Sequence, residues 1–575
     1  MILGALAMVA ANAAALLGAW GLLERVRTGR AGVDAVLFLL LRFLLVSSAV
    51  LLAGLVHLLR PGALGLAGLA ALGGLAALGI HRRLPSFRRP RWGVGWTILA
   101  LAVLLRFLLQ IWFFAPYLDD TLDYHLPKIA EWVRAGGFTG ELGVDARSTF
   151  PAGFELLETW WVVFLHHDLL IELAGVEVLI LAAASVFALA SELGWDPRTA
   201  GIAGALFVMT PAVQFQATSC TNDGAVTALV LSSLALGVAG TGPLLLIPLA
   251  LGAGVKPTFL YTLPGLALVA ALFPRGEGAG PKTPKLLFAV LGTAVLVGSY
   301  WYLRNAVVYG NPIHPMGPGG MKSPTAGSTL QRFGPSLKAL EENLSCLFDL
   351  RIYDAQRPPD ALCTVGFGWG ATGFALGSLA LVPLLRSEAL LRRLALGIAV
   401  SGLSVLALVE LDLWFCRFLM FAAALPALAL ARLWDRYRFV PLLGGAAILI
   451  QFLSTMVPGN MSAEVFRSLV RQSWKNRAAR AAPVETLDQT VGFATDDFGG
   501  AYSLYLPSYS RRVVYVRDDT IEALISHLRR ESATTLYVSG VMLRRRALLE
   551  EGVRRGRLRP VTHGAWKGYA VVPDP

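Results

Sequence analysis

Long uninterrupted apolar segments constrain the fold of this chain more than any other feature of its sequence. They recur along most of its 575 residues and include Ala35–Leu59, Gly93–Phe114, Leu286–Leu303 and Val440–Val457. Lipid offers no hydrogen-bond partner to backbone N–H and C=O groups, so about 20 consecutive apolar residues are typical of a membrane-spanning helix. Only 15% of the residues are charged, whereas a soluble protein carries roughly 25%. The sequence therefore predicts an all-α polytopic membrane protein.

The distribution of basic residues predicts how the helices are oriented. Five short connections are rich in Lys and Arg, namely residues 25–30, 81–91, 275–285, 386–393 and 432–438. Cytoplasmic loops of membrane proteins carry such an excess, which explains the net charge of +12 more simply than nucleic-acid binding does. Placing all five inside gives about fourteen spans, with both termini outside. The first apolar segment has no basic residue before it and no cleavage site after it, so we expect a span rather than a signal peptide.

The composition changes after Val457. Strand-like segments at 491–495, 512–517, 534–539 and 569–572 alternate with helix-like segments at 520–530 and 542–556, which predicts a small α/β domain. We therefore divide the chain into a three-span extension (1–91), a core (92–457) with outer loops at 116–168 and 304–365, and an outer α/β domain (458–575). We expect the last to serve in packing, partner binding or acceptor positioning.

The most informative polar segment is Asp119-Asp120-Thr121-Leu122-Asp123-Tyr124-His125-Leu126-Pro127, hereafter the acidic segment. A carboxylate just beyond a span can act as a general base. Adjacent carboxylates can also bind a divalent cation, or simply begin a helix, where they suit its dipole. The residues by themselves leave these alternatives open. Residues 123–134 predict an amphipathic surface helix, and residues 154–165 predict a second helix at the membrane interface.

Several motifs in order resemble the bacterial GT-C-fold glycosyltransferases, which include lipid A aminoarabinose transferase and protein O-mannosyltransferases. The acidic segment is similar to the Asp-Ala-Leu-x-Tyr-His-Leu-Pro loop of many members, with Asp120, Tyr124, His125 and Pro127 at the matching positions. The further similar segments are Phe150–Glu155, Gln216–Asp223, Gly254–Pro257, Tyr302–Asn305, Tyr309–Pro315 and Arg417-Phe418. The resemblance covers about residues 95–440. The lysine of the Gly-x-x-Lys turn comes one residue early here, and the first three spans and the C-terminal domain lie outside the resemblance.

The resemblance implies an inverting transfer of a sugar from a polyprenyl-phosphate carrier to an acceptor hydroxyl, at the outer face of a bacterial cytoplasmic membrane. The acceptor, whether glycan, lipid or protein, stays open. Asp120 would be the general base, and fixed cations would neutralise the leaving phosphate; the candidates are Lys256, Arg304 and Arg417. The other residues expected to bind substrate are Asp119, Asp123, Tyr124, His125, Glu155, Asp223, Asn305 and Asn311.

For three of these residues a structural role is an open alternative: Asp223 can cap a helix, Glu155 can begin one, and His125 can serve in packing. A divalent cation on the carboxylates stays open as a cofactor. Within the outer loop 304–365, Cys346 and Cys363 are the natural disulfide pair if the compartment is oxidising, and four free thiols are the alternative.

Two other functions fit a polytopic chain: a transporter or flippase of lipid-linked saccharides, and a non-catalytic protein that binds such lipids. Transporters place charged sites near the bilayer midplane, and Arg106, with Glu172 or Glu177 as partner, is the one midplane candidate. Most other polar residues gather at the ends of the predicted spans, which favours an interfacial enzyme.

Overall fold

The structure, a computed structural model, describes residues 2–80, 94–139, 146–273, 284–317, 320–322, 329–331, 371–409, 415–449, 488–495, 500–539, 543–563 and 566–573, without single positions in 114–119, in 435–448 and at 507. Asp119, Cys346 and Cys363 lie outside these residues, as do the basic loop at 81–91 and most of the one at 275–285.

Helices dominate the described part of the chain. In order they are α1 (Ile2–Val26), α2 (Ala31–Leu55), α3 (Pro61–Ala77), α4 (Val94–Phe113), α5 (Leu126–Ala135), α6 (Gly153–Val163), α7 (Leu173–Glu192), α8 (Pro197–Val208), α9 (Pro211–Gln216), α10 (Asp223–Val238), α11 (Leu246–Val255), α12 (Leu263–Leu272), α13 (Pro284–Tyr309), α14 (Ala371–Ser387), α15 (Ala389–Leu408), α16 (Ala424–Trp434), α17 (Ile521–Arg530) and α18 (Leu543–Arg554). Six helices in the described residues are long and apolar enough to cross a membrane, and further apolar helices are shorter. The predicted polytopic membrane fold is confirmed.

Several of the predicted spans do not run as continuous α-helices. The span expected at 199–217 is broken at Thr210, which is extended (φ −62°, ψ 122°), because Pro211 lacks an N–H and disfavours α conformation in the residue before it. The segments Pro257–Thr262 and Phe415–Ala423 are 3₁₀-helices that precede α12 and α16. These interruptions matter because functional side chains lie at them.

The acidic segment folds into a π-helical turn, Thr121–His125, that runs into α5. The helix ends at Gly136, whose φ of 70° closes it in left-handed conformation. The surface position expected for this helix is wrong: Leu126, Ile129 and Trp132 are buried, and so is the polar Lys128. It packs against α6 and the C-terminal domain, which cover what would otherwise be its solvent face.

The connections separate into two ends of the helix bundle. At one end Arg30 donates to Glu192 Oε2 (2.7 Å) and to the backbone oxygen of Ala239 (2.6 Å). Arg432 pairs with Glu388 (2.6 Å) at a connection of the same basic type. Ala239 follows the end of α10, whose first residue is Asp223. A 16-residue helix is about 24 Å long, so Asp223 lies at the opposite end from the basic connections.

The C-terminal domain is a five-stranded mixed sheet with helices α17 and α18, as predicted. Its strands are β4 (Thr490–Thr495), β5 (Arg512–Tyr515), β6 (Thr535–Ser539), β7 (Leu558–His563) and β8 (Trp566–Val571), after three short strands β1 (Met316–Gly317), β2 (Gly320–Lys322) and β3 (Thr329–Gln331). The order is β5-β4-β6-β8-β7, with β5 and β6 parallel to β4 and the last two pairs antiparallel. Strand β7 was not predicted, because half of its side chains are exposed and they show no apolar alternation. Strand β5 forms an edge of the sheet.

The C-terminal domain packs directly on the membrane part. The 3₁₀-helix Ala501–Tyr505 buries most of its side chains in the core cluster that also contains α5 and α6. The Tyr502 hydroxyl donates to Asp168 Oδ2 at 3.1 Å. The start of this domain, predicted at 458, lies outside the described residues.

Candidate active site

Five charged side chains from five different segments meet at one place. Asp120 begins the π-helical turn, Arg147 lies in a short 3₁₀-helix (Ala146–Thr149), and Asp223 opens α10. Lys256 is an extended residue after α11 (φ −159°, ψ 139°), and Arg417 belongs to the 3₁₀-helix Phe415–Ala423. We call these five residues the Asp120 cluster.

The members of the Asp120 cluster form a continuous chain of ion pairs. Asp120 Oδ1 accepts from Arg147 Nη1, and Oδ2 accepts from Arg417 Nη1, both at 2.8 Å. Arg417 Nε lies 3.4 Å from Asp223 Oδ2, and Lys256 Nζ donates to Asp223 Oδ1 at 2.5 Å. Positive and negative groups therefore alternate from Arg147 to Lys256.

Backbone contacts explain why these segments converge. The Thr121 hydroxyl donates to the backbone oxygen of Ser219 at 2.7 Å, which ties the acidic segment to the turn before Asp223. A Cβ on Gly254 would lie 2.7 Å from the Cα of Gly298. Helices α11 and α13 can approach this closely only because both positions are glycine, as is common between membrane helices. That approach fixes the end of α11, where Lys256 follows.

Aromatic rings hold the cations of the cluster. The Arg147 guanidinium lies 4.6 Å from the centre of the Tyr124 ring. The Phe418 ring lies 4.8 Å from Lys256 Nζ and 5.1 Å from Arg417 Cζ. Such cation–π contacts contribute on the order of 0.5–2 kcal/mol and restrict where the charges point. Tyr124, expected from its motif position to bind substrate, thus contacts a cation of the cluster.

The neighbouring guanidinium groups control the basicity of Asp120. Burial would raise the pKa of this carboxyl, but Arg417 and Arg147 outweigh burial and hold the pKa well below its usual value. Asp120 is therefore ionised at neutral pH. While both arginines bind it, it is a weak acceptor of protons, because each bond stabilises the charged form.

His125 and Glu155 lie beneath the cluster and bind each other. Glu155 Oε1 accepts from Lys128 Nζ (2.9 Å) and lies 3.0 Å from His125 Nδ1. All three side chains are 1% exposed. Burial would raise the pKa of Glu155, but Lys128 and His125 lower it to about 2. The contacts are those of a buried support that holds the acidic segment against α6.

Glu158, one helical turn after Glu155, is fully buried in α6. Burial and the nearby Glu155 charge raise the pKa of Glu158 well above its usual value. Glu155 is thus the ionised member of this pair and Glu158 the neutral one, since two adjacent buried carboxylates do not both ionise.

Arg304, Asn305 and Asn311 lie beside the cluster, on the end of α13 and the turn after it. Asn305 Nδ2 donates to the backbone oxygens of Thr149 (2.9 Å) and His314 (3.2 Å), and Asn311 Nδ2 donates to that of Met316 (2.6 Å). Both asparagines therefore fold the turn against the 3₁₀-helix that carries Arg147. Arg304 donates to Asn305 Oδ1 at 3.2 Å and is not a member of the ion-pair chain described above.

Asp123 joins the cluster to the C-terminal domain. Its Oδ1 accepts from the backbone N–H of Gly500 at 2.5 Å, and its Oδ2 lies 3.8 Å from Arg147 Nη2. The Asp123 side chain is only 6% exposed. Its position is that of a bridge between two parts of the molecule.

Sequence reasoning missed Arg147, Lys128 and Gly500. Lys128 directly follows the acidic segment, but no pattern singled out its ion pair. Arg147 lies in a segment without apolar periodicity. The one signal for a role at the site was its position between the acidic segment and the matched segment Phe150–Glu155. A backbone N–H such as that of Gly500 has no signature in a sequence.

The described residues give no support to a divalent cation at Asp120. Among them, no group of three His, Cys, Asp or Glu side chains could hold a metal ion. Both carboxylate oxygens of Asp120 instead accept from guanidinium groups, which compete with any cation for the same lone pairs.

The buried Arg106 does not pair with Glu177, one of its two expected partners. It donates to Gln214 Oε1 at 3.0 Å, while Glu177 pairs with Arg42 on α2. The hydrogen bond between Arg106 and Gln214 links helices α4 and α9.

The chain was compared with known proteins. No protein-family model matches it, and no curated protein matches its sequence. It is similar to the crystal structure of ArnT from Cupriavidus metallidurans bound to undecaprenyl phosphate, with a TM-score of 0.52, 12% identity, and coverage of 84% of this chain and 100% of that chain.

Two further structures are more distant. ArnT from the same organism in the apo state has a TM-score of 0.48 at 13% identity, covering 84% of this chain and 99% of that chain. The oligosaccharyltransferase of Archaeoglobus fulgidus in the apo form has a TM-score of 0.36 at 12% identity, covering 79% and 70%. The fold assignment rests on the first comparison and on the described helices. The chain therefore has a GT-C-like fold: it is an all-α polytopic membrane protein with a small C-terminal α/β domain.

Proposed function

We propose that this protein is a membrane glycosyltransferase that moves a sugar from a polyprenyl-phosphate carrier to an acceptor hydroxyl. The observation that carries the proposal is the Asp120 cluster, which places one carboxylate between two guanidinium groups at the end of the bundle. A base and phosphate-binding cations are then available at one site. The ArnT structure of the same fold was solved with undecaprenyl phosphate bound, which supports a polyprenyl-phosphate donor.

The cations divide into two chemical types. Arg147 and Arg417 can each grip phosphate oxygens in a two-pronged arrangement, whereas Lys256 supplies a point charge. We assign Arg417 and Lys256 to the donor phosphate, because Phe418 holds both cations on one ring. Such fixed charges can lower the barrier for a growing anion by several kcal/mol.

Asp120 is the general base in the proposed reaction. The acceptor oxygen attacks the anomeric carbon from the face opposite the phosphate, and its proton passes to Asp120. The bond between that carbon and the phosphate oxygen breaks, and the carrier leaves as a phosphate monoester. The negative charge lost at Asp120 equals the charge gained by the phosphate, so the net charge of the site does not change.

Donor binding would itself activate the base. Asp120 is weakly basic while it shares Arg147 and Arg417. A phosphate that draws either guanidinium towards itself removes one bond from Asp120 and raises its pKa. The base would therefore gain strength only when the donor is in place, which limits proton transfer in its absence.

We place the active site on the outer face of a bacterial cytoplasmic membrane. The basic residues Arg30 and Arg432 lie at one end of the bundle, and the Asp120 cluster lies at the other. If the basic end is cytoplasmic, the cluster and the C-terminal domain that contacts it are outside. Residues 92–457 would then form the catalytic core, and residues 458–575 an outer domain.

A reconstitution experiment tests the proposal. Purified wild type and Asp120→Asn are placed in vesicles with undecaprenyl-phosphate-linked sugars and a cell-envelope extract, and sugar transfer is measured. We expect Asp120→Asn to lose transfer but keep donor binding, because Asn cannot accept the proton. Glu550→Gln, which changes an exposed carboxylate on α18, serves as the control and keeps full activity.

Two results would contradict the proposal. Undiminished transfer by Asp120→Asn would remove this residue as the base. Absence of transfer by wild type with every donor, together with movement of lipid-linked sugar across the vesicle, would favour a flippase.

A further inference from the structure

A large polar cleft lies between helix α5 and the β5 edge of the C-terminal sheet. Its volume is about 940 Å³, near the upper end of the range for small-molecule sites, roughly 300–1,000 Å³. One wall belongs to the acidic segment and α5, and the other to β5 and the residues after it. The side chains that decide its chemistry are Glu131 and Arg134 on the first wall, and Tyr515, Arg517 and Asp519 on the second.

The charges that line the cleft are largely paired within their own wall. Arg134 binds Glu131 at 2.5 Å on α5. On the other wall Arg512 binds Glu531 at 2.6 Å, and His527 lies 2.8 Å from Asp518. The walls therefore offer many hydrogen-bond donors and acceptors without an excess of either charge. A polyanion or polycation would gain little from such a surface.

The apolar lining is sparse. Val513 and Val514 face the cleft from β5 but are mostly buried, and Tyr515 is a partly exposed aromatic ring. A lipid tail needs a continuous apolar surface, which these residues do not provide. A hydroxyl-rich molecule matches better, since hydroxyls both donate and accept, and the C–H faces of a sugar ring can stack on an aromatic ring.

The cleft is connected to the proposed base by two side chains. Asp123 lines the cleft and lies 3.8 Å from Arg147, which in turn donates to Asp120. Asp123 and Arg147 thus lie between the cleft and Asp120. The C-terminal domain supplies one entire wall, although its sequence shows no feature of an active site.

We propose that this cleft binds the acceptor, and that the acceptor presents an uncharged, hydroxyl-rich saccharide. The inference rests on the proposed glycosyl transfer and names its acceptor class. Strand β5 lies at a sheet edge, so an extended peptide could in principle pair with it. The paired, alternating charges of the walls favour the saccharide, and the experiments below separate the two.

Kinetics of two cleft variants test the site. The acceptor probe is a cell-envelope saccharide fraction that wild type modifies, and the variants are Arg517→Gln and Asp519→Asn, both exposed. We expect each variant to raise the KM for the acceptor about three- to tenfold, because the loss of one hydrogen bond typically weakens binding by that factor. The KM for the donor and the slow hydrolysis of donor by water do not change. Arg546→Gln, exposed on α18 and outside the cleft, is the matched control.

The possible failures are distinct. If wild type transfers no sugar, the proposed function fails. If transfer occurs but both variants keep the wild-type KM for the acceptor, the cleft is not the acceptor site.

Photocrosslinking identifies the occupant. A photoreactive residue is introduced in place of Arg517, or of Arg546 as the control, and intact membranes are irradiated. We expect an adduct at position 517 alone that stains with periodate and resists protease. A protease-sensitive adduct without glycan would overturn the saccharide in favour of a peptide, and equal labelling at both positions would overturn the site.

Discussion

Arg417 follows Asp120 by 297 positions, yet its Nη1 atom donates to Asp120 Oδ2 at 2.8 Å. The same guanidinium approaches Asp223 through Nε at 3.4 Å. One side chain thus holds the proposed base and the first residue of α10 at a set separation. Most of what we predict for the site depends on this double contact.

Replacing Arg417 by lysine should abolish the double contact but keep the charge. A single ammonium group cannot reach two carboxylates in the planar geometry of a guanidinium. We expect kcat for sugar transfer to fall about 100-fold or more, the usual effect of losing one transition-state donor. Arg432→Lys, near the opposite end of the bundle and paired with Glu388, should keep wild-type kcat. If kcat of Arg417→Lys falls less than threefold, the simultaneous contact of Arg417 with Asp120 and Asp223 is unimportant for the reaction.

The pH profile should differ between free and donor-bound enzyme. Arg417 and Arg147 outweigh burial and hold the pKa of Asp120 below its usual 3.8. The base is therefore ionised at every pH above that value, and kcat/KM should not fall through loss of its charge between pH 7 and pH 4.5. If the donor phosphate draws the arginines away, the pKa rises in the complex, and kcat should fall at a higher pH than kcat/KM.

Arg147→Gln provides the check on this profile. Losing one guanidinium raises the pKa of Asp120 in the free enzyme, so the acid limb of kcat/KM should move to higher pH. An unmoved limb would mean that another group controls it.

The bond between Asp123 and Gly500 should couple the C-terminal domain to the site. Asp123→Asn keeps an oxygen for the Gly500 N–H but loses the charge near Arg147, whereas Asp123→Ala loses both. We expect a modest loss of transfer in Asp123→Asn, about two- to fivefold, and a loss of tenfold or more in Asp123→Ala. Hydrogen exchange should increase in residues 500–506 in the alanine variant alone.

Tyr502→Phe separates docking from positioning. It removes a second polar contact of the domain, the bond to Asp168, but does not touch the Asp120 cluster. It should loosen residues 500–506 with less effect on kcat than Asp123→Ala. If Tyr502→Phe and Asp123→Ala lower kcat equally, Asp123 only docks the C-terminal domain and does not position the site.

The buried pair of Lys128 and Glu155 should matter for stability more than for chemistry. Both side chains are 1% exposed, and removing one partner of such a pair typically costs about 3–5 kcal/mol. Lys128→Met and Glu155→Gln should each lower the unfolding temperature in detergent. The double variant, Lys128→Met with Glu155→Gln, should unfold at a higher temperature than Lys128→Met alone, because neither partner is then left as an unpaired charge. If the losses of unfolding temperature of the two single variants simply add in the double variant, this account is contradicted.

Acid should weaken the same pair. The pKa of Glu155 is lowered from 4.5 to about 2, so its ionised form stabilises the fold above pH 4.5. That contribution is lost as the pH falls from 4.5 towards 2. Thermal unfolding of wild type should show this loss, and Glu155→Gln should not.

Part of the site could be predicted because it depends on local patterns. The apolar segments predicted the helices, and ordered motifs pointed to Asp120, Asp223, Lys256 and Arg417. The charge of Arg147 gave no comparable signal, because its role arises only when a separate segment packs beside the acidic segment. The partners of Glu155 were likewise not predictable, because they come from α5 and the turn before it. Long-range packing decided which charged groups contact each other, and no single segment encodes that.

The separation of Asp123 from Gly500 has a consequence for biosynthesis. The two residues are 377 positions apart, which a ribosome covers in about 20–75 s at 5–20 residues per second. Throughout that interval the acidic segment is already inserted, while Arg417 and then Gly500 are still being made. A nascent or prematurely terminated chain would thus sit in the bilayer without a complete Asp120 cluster and without the C-terminal domain beside it. On the proposed function, the cell's pool of activated carrier lipid is safe from wasteful hydrolysis until translation of the last domain is complete.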